Sequence, residues 1–508
     1  MLTTAEATAK PTLPAHARTV IATLLVAAFV VILNETIMAV ALPRLMVDLG
    51  ISASTVQWLT SAFLLTMAVV IPTTGFLLER ISTRTVFLLA MSLFSLGTLV
   101  AGLAPGFWLL LIARIIQASG TAIMVPLLMT SILTLTPIQR RGVVMGNVSI
   151  AISVAPAIGP TLSGLILQFL PWRYLFLLVL PVALASLIIG ARTLVNVGEQ
   201  GHQRLDIVSV LLSVPAFGGI VYGLSKVGIS GGGGIGPAAV ALAVGFVCLL
   251  AFGWRQVRLQ RDADPLLDLR VFKIGMYSLS LLILCLAMGA MLGAFILLPI
   301  YLQSVRGLSS LATGALLLPG GLTMGLLAPA VGKIFDRHGP KVLVPPGAAL
   351  IAVSMLVLTR VDQNTPVWLL VGTHMILAIG LACLFTPTFT TGLNPLPPSL
   401  YSHGSAVMAT LQQVAGAAAT AFLVTVMSAR TASLVSSGQP ATTALTIGLH
   451  TSFAVVAGIA VVALVLALFL NNPKPAVAEP TESVADLDSA RDLDVEHRAV
   501  ERHEQPQP

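Results

Sequence analysis

Glu35 sits in the middle of a long apolar run and is the only carboxylate of this sequence so deeply placed. An acid inside a membrane-length apolar segment is costly to keep and is a functional candidate by default. Arg114 lies inside another such run, with Gln117 three residues further on, on the same helical face. Counted at about 1.5 Å per residue, Glu35 lies about 12 Å in from residue 43 and Arg114 about 10 Å in from residue 107. Those two ends belong to the same side of the membrane, so the two charges share a depth. Burial disfavours the charged form of an acid and a nearby base favours it, so such a pair can take up and release protons in a useful range. Gln117 is placed to orient the pair. Both charges also have a purely structural reading, as a satisfied acid and a cross-helix tether, because intramembrane charges pair for either reason.

The rest of the chain explains why these charges stand out. Only 9% of the 508 residues are charged and 56% are hydrophobic, with a mean hydropathy of +0.96. A soluble chain carries about 25% charged residues, so most of this surface must face lipid. The net charge of +7 does not indicate nucleic acid, because the bases fall in short loops between apolar segments. Cys248, Cys285 and Cys383 lie inside apolar runs and imply neither metal ligation nor disulfides. No nucleophile elbow, phosphate loop or metal-ligand cluster is present, which argues against a membrane-embedded enzyme. No cofactor or metal is expected.

A helix needs about 20 apolar residues to cross the hydrocarbon. That ruler gives fourteen candidate spans and an all-α polytopic fold. The spans include a fifth at 142–168 and two at 207–226 and 236–254. With the N-terminus inside, most of the 27 Lys and Arg fall on the cytoplasmic side. No signal-peptide cleavage site follows the first apolar run, so it reads as a retained span. The stretch after residue 470 turns acidic and lacks aromatic residues, as a disordered cytosolic tail does.

Two loops on that side repeat. One reads Gly75, Glu79, Arg80, Ser82, Arg84, and the other Gly332, Asp336, Arg337, Gly339, Lys341, with matching offsets. Internal repeats are the architecture of secondary transporters, with the site between the halves. The copies lie farther apart than six helices require, and two extra helices fill the excess. The expected plan is a segment at 1–19, a six-helix bundle at 20–192, a linker with two extra spans at 193–273, a second six-helix bundle at 274–470 and a tail at 471–508. Gly75 and Gly332 are expected to let a neighbouring helix approach closely. The loop acids and bases are expected to pair across the halves as a cytoplasmic lock.

At these residues the sequence resembles the major facilitator superfamily, and within it the fourteen-helix drug:proton antiporter branch (EmrB/QacA/LmrB-like). Further stretches carry the resemblance from about residue 20 to 470. They are Leu33-Asn34-Glu35-Thr36, then Arg114, Gln117 and Gly120, then Ala155 to Gly164 with Pro156, Gly159 and Pro160, and Trp172 to Phe176. In the second half they are Leu298 to Gln303 and Gln412 to Ala417. Ser82 and Glu79 stand where the family usually has Gly and Asp, Ser163 replaces a Gly of the antiporter motif, and the acid of the first helix is displaced by one residue.

The resemblance implies a major facilitator fold of 6+2+6 helices whose first and fourth helices line a central cavity. It places Asn34, Glu35, Arg114 and Gln117 at a proton-coupling or substrate site and Gln303 and Gln413 near the second half's cavity. It marks Pro156, Gly159, Pro160 and Gly164 as the antiporter motif, whose prolines bend a helix and whose glycines allow tight packing. Met288, Met291, Phe295, Tyr301, Trp58 and Phe63 offer adaptable surface, although each alone reads as packing or lipid contact. His374 reads as a packed polar residue, though histidine can relay protons.

The expected function is proton-coupled export of amphipathic drug-like molecules across a bacterial cytoplasmic membrane. The alternative is a carrier for a specific metabolite on the same fold, in either direction. Expected partners are the lipid bilayer, a small amphipathic substrate and protons, with no nucleic acid, and the chain is expected to act as a monomer.

Overall fold

The structure is a computed structural model that describes residues 15–135, 154–155, 158–194, 206–225, 236–262, 265–397 and 400–471. The acidic tail, residues 1–14, the Gly231–Gly234 run and the first part of the fifth span lie outside the described residues. Among the described residues there is no strand, and thirteen helices are long and apolar enough to span a membrane. A further apolar helix, Ile158–Phe169, is the described part of the fifth span.

The first bundle contains α1 (Ala15–Leu49), the short α2 (Ala53–Val56), α3 (Trp58–Arg80), α4 (Thr83–Leu103) and α5 (Phe107–Leu135). It continues with α6 (Ile158–Phe169), the single turn α7 (Tyr174–Leu177) and α8 (Val179–Thr193). Two extra helices follow, α9 (Ile207–Leu224) and α10 (Pro237–Asp262). The second bundle holds α11 (Gly275–Ile300), α12 (Ser310–His338), α13 (Val344–Leu358), α14 (Val367–Leu393), α15 (Tyr401–Ser436) and α16 (Ala441–Ala467). We call the side where α1 begins the base-rich face and the other the base-poor face.

Local chemistry sets the helix ends. Ser52, Ser82 and Ser309 each accept a backbone N–H of the following turn and so start α2, α4 and α12. Asp206 does the same for α9. Gly50 and Gly339, at φ +62° and +75°, end α1 and α12 in the left-handed conformation that glycine adopts without strain. The two repeated loops therefore diverge at corresponding positions. Ser82 caps the next helix with an ordinary backbone, whereas Gly339 supplies a turn that a side chain would strain.

Helix α1 runs for 35 residues, well beyond the length needed to cross the hydrocarbon. Its buried face packs on α5, α8 and α11, which makes it central to both bundles. Large apolar side chains cover the outside, among them Leu326, Val247 and Leu211. In water such a surface would aggregate, and in lipid it is the natural solvent face. Trp108, Phe169 and Trp368 are exposed near helix ends on the base-poor face, where aromatic rings sit at a membrane interface.

The extra pair has a definite seat. Phe217 and Val221 of α9 pack among Leu64 and Ala68 of α3 and Ala417 and Ala421 of α15. Thr425 of α15 donates to the Ser225 carbonyl at 3.0 Å. Helix α9 thus covers one seam between the bundles, and α10 packs outside it. Gly219 and Gly245 let α9 and α10 cross with their backbones nearly touching.

Candidate functional site

Arg114 is 1% exposed and sits wholly inside the first bundle. One nitrogen, Nη1, donates to Gln117 Oε1 at 2.5 Å and to Asn34 Oδ1 at 3.1 Å. Nε donates to the Leu59 carbonyl at 3.4 Å. The guanidinium lies 4.0 Å from the centre of the Phe63 ring, a cation–π arrangement. Gln117 in turn donates to Thr98 Oγ1 at 2.8 Å, and Thr98 donates to the Phe94 carbonyl at 2.6 Å. Helices α1, α3, α4 and α5 are therefore joined by one chain of hydrogen bonds through a single buried cation.

The sequence placed Glu35 and Arg114 at one depth, and in the structure the two lie near enough to interact electrostatically without touching. Among the described residues, no ion pair or hydrogen bond links the two side chains. Successive helix residues point about 100° apart, so only one of Asn34 and Glu35 can face α5. Asn34, 1% exposed, takes that place. Glu35 is intermediate in exposure, and its neighbours on α1 make these contacts. Thr36 lies against α6, where a Cβ on Gly159 would stand 2.2 Å from Thr36 Oγ1. Ala39, one turn on from Glu35, lines a cavity between the bundles. Glu35 is thus on the same face of α1 as Ala39, one turn from that cavity, beside the buried Arg114.

On the base-poor side the halves are in close contact. A Cβ on Gly164 would lie 2.3 Å from the Ser310 carbonyl oxygen, and one on Gly314 would lie 2.5 Å from the Pro160 carbonyl oxygen. Thr161 donates to the Gly314 carbonyl at 2.9 Å. Gly159, Pro160 and Gly164 of the candidate antiporter motif thus form the contact of α6 with α1 and α12. Pro156 lies outside the described residues.

At the other seam, Ser61 of α3 and Thr420 of α15 share a hydrogen bond at 3.1 Å. Gln303 donates to the Val40 carbonyl at 3.1 Å, and Gln413 donates to Met67 Sδ at 3.3 Å. Both glutamines, expected near the second half's cavity, bridge the two bundles in this conformation.

The base-rich side differs. Asp336 and Arg337 are exposed. A Cβ on Gly332 would meet nothing within 4 Å. The expected close approach at Gly332 is therefore not made, and the expected lock involves the Glu79 side chain, which lies outside the described residues. Gly75, Glu79 and Arg80 fall on the last turns of α3, and Lys341 is exposed after Gly339. Arg84 has a local task and donates to the Ala191 carbonyl at 2.5 Å near the end of α8.

Sequence reasoning found Asp206 as a helix cap and missed its second role. Arg255 of α10 grips it with a fork of hydrogen bonds at 2.7–3.1 Å. Gln256 continues this network to Ser209 and to the Leu267 backbone, which ties the extra pair to the second bundle's entry. The charge sign on α10 was visible, but the facing of two helices 49 positions apart was not.

Two six-helix bundles that meet around a cavity, with a helix pair on one seam, define a polytopic carrier. Residues 24–420 match the model of the Major Facilitator Superfamily. The uncharacterized MFS-type transporter YcnB of Bacillus subtilis is 40% identical over 468 residues, 92% of this chain and 98% of that protein. Lincomycin resistance protein LmrB of Listeria monocytogenes is 39% identical over 460 residues, 90% and 97% of the two chains.

Two solved structures share the fold. One is the peptide transporter POT with sulfate, with TM-score 0.65, 16% identity, and 89% of this chain and 93% of that chain covered. The other is an inward-facing, unoccupied bacterial homolog of the lysosomal transporter Spinster, with TM-score 0.64, 14% identity, and 91% and 97% covered. The chain belongs to the Major Facilitator Superfamily and is a multi-pass membrane transporter, not an enzyme.

Proposed function

We propose that this transporter exports amphipathic drug-like molecules across a bacterial cytoplasmic membrane in exchange for protons, by alternating access, with both termini in the cytoplasm. The observation that carries the reading is the placement of Glu35. It stands beside the buried Asn34–Arg114–Gln117 nest and one turn from Ala39, which lines a cavity between the bundles. Relatives named as lincomycin resistance proteins support drug export. The excess of Lys and Arg on the base-rich face supports a cytoplasmic assignment for that face. On this assignment the conformation is inward-facing.

The mechanism uses Glu35 as the shared group. When charged, it favours a substrate with a cationic or hydrogen-bond-donating part. When protonated, it releases that part. One acid used by both ligands in turn gives exchange without a second coupling site. Arg114 acts through position: it fixes α1 to α5 by way of Asn34 and so holds Glu35 in register.

The test is transport into inverted membrane vesicles or proteoliposomes with an imposed pH gradient, using lincomycin and a cationic dye. Wild-type protein is expected to accumulate substrate in response to the gradient, and Glu35→Gln to lose that response. Full gradient-driven transport by Glu35→Gln would remove Glu35 from the mechanism.

A further inference from the structure

The loop that joins α13 to α14 on the base-poor face is held by three side chains from outside it. Each takes one of three successive carbonyls. His450 Nε2 of α16 lies 2.5 Å from the Val361 oxygen. Tyr301 Oη, from the residue after α11, donates to the Asp362 oxygen at 2.7 Å. Arg306 Nη1 donates to the Gln363 oxygen. The Asp362 side chain closes the turn, since its Oδ1 accepts the Asn364 N–H at 2.8 Å and the Thr365 hydroxyl at 3.1 Å.

Below this loop, on the outside of the second bundle, is an open groove of about 610 Å³. Val353, Leu356 and Val357 of α13 and Leu369 of α14 form its walls, and Arg360 and Asp362 stand on its rim. Val353 and Leu356 are half exposed, so the groove continues the lipid-facing surface. Arg360 lies seven positions beyond Val353, about 10 Å nearer the membrane surface. Val361 is 2% exposed and turned to the core, which leaves Arg360 and Asp362 on the outer side. The two form no ion pair with each other. The Asn364 N–H and the Thr365 hydroxyl hold the Asp362 carboxyl below the usual carboxylate range. The rim therefore presents one positive and one negative charge at neutral pH, above an apolar wall.

We propose that this groove seats a zwitterionic phospholipid, with its phosphate on Arg360, its ammonium on Asp362 and an acyl chain along Val353 and Leu356. A phosphate takes charge-assisted hydrogen bonds from a guanidinium. Asp362 Oδ2 takes no part in the turn and is left to accept from the ammonium. A purely anionic headgroup meets the same carboxylate as a like charge. The fixed loop reduces the ordering cost of binding. Every lining residue belongs to the second bundle, so rocking of the halves leaves the groove intact and the lipid favours neither conformation. The site does not depend on the export reading. Reversing the faces would change only the leaflet.

The test is native mass spectrometry of the full chain, delipidated in detergent and titrated with phosphatidylethanolamine or phosphatidylglycerol of identical acyl chains. Wild type is expected to hold the first phosphatidylethanolamine about tenfold more tightly, the worth of one charge-assisted hydrogen bond. Asp362→Asn keeps an oxygen for Asn364 and Thr365 while removing the charge, and should bring the two lipids to parity. Arg360→Gln should weaken both about tenfold. Arg430→Gln, which removes another exposed base near the same face, should change neither.

Equal binding of the two lipids by wild type, or tighter binding of phosphatidylglycerol, would overturn the proposal without recourse to any variant. So would a preference that survives Asp362→Asn, or a loss in Arg430→Gln as large as that in Arg360→Gln, because either places the lipid elsewhere. Lipid binding is read without transport, so its failure leaves the Glu35 mechanism standing.

Discussion

Arg114 Nη1 donates to Asn34 Oδ1 at 3.1 Å, one residue before the acid it was expected to pair with. The consequence is a division of labour on one turn of α1. Asn34 anchors the helix to Arg114, while Glu35 makes no hydrogen bond among the described residues and stays one turn from the cavity that Ala39 lines.

Asn34→Leu removes one of the acceptors of a buried cation. The expected cost is about 1.5–3 kcal/mol, the range for hydrogen bonds to charged groups, read as a lower melting temperature of the purified protein. Arg114→Lys should fare little better. A single ammonium cannot reproduce a planar fork that reaches Asn34, Gln117 and the Leu59 carbonyl while lying over the Phe63 ring.

Gly159→Ala and Gly164→Ala should both impair transport, but only the first should be repairable. The Cβ at 159 meets Thr36 Oγ1, a side-chain atom that Thr36→Ala removes. The Cβ at 164 meets the Ser310 carbonyl oxygen, which is backbone and cannot be trimmed. Efflux assays on the single and paired variants check this. Rescue of Gly164→Ala by any side-chain change on α12 would contradict the account.

The two seams should differ in what cross-linking does. A disulfide between cysteines at positions 61 and 420 ties α3 to α15 across the closed base-poor side, and transport should stop until a reductant is added. A disulfide between positions 225 and 425 joins α9 to α15, which are already in contact. Transport should persist there if α9 travels with the second bundle. Substrate flux before and after reduction distinguishes the cases.

Asp268 and Arg270 give a pH prediction outside the membrane. Burial alone would raise the Asp268 carboxyl, but its hydrogen bonds with Arg270 outweigh this and leave it below the ordinary carboxylate value. A depressed carboxyl contributes stability that is fully present above its unfolded value of about 4 and lost as pH falls through the folded value. Wild type should therefore lose melting temperature more steeply than Asp268→Asn as pH is taken below about 4. Parallel melting curves against pH would refute the assignment.

The membrane spans, the base-rich face, the extra helix pair and the isolation of Glu35 were legible in the chain because they follow from composition along one dimension. Apolar runs have a length set by the bilayer, and a charge inside one is conspicuous without any knowledge of neighbours. The Asp206 cap was legible for the same reason, since it is a contact within three positions.

What only the tertiary structure decided is which side chain meets which across helices. Asn34 and Glu35 are adjacent, and choosing the one that faces Arg114 requires the rotation of α1 about its axis. Apolar periodicity does not fix that rotation when a helix is apolar on nearly every side, facing protein on one and lipid on the other. The seat of α9 over the α3–α15 seam, the partnerless nitrogen of His374 between the bundles, and the exposure of Asp336 and Arg337 all depend on the relative placement of two bundles. That placement differs between the conformations of a transporter, and one sequence encodes all of them.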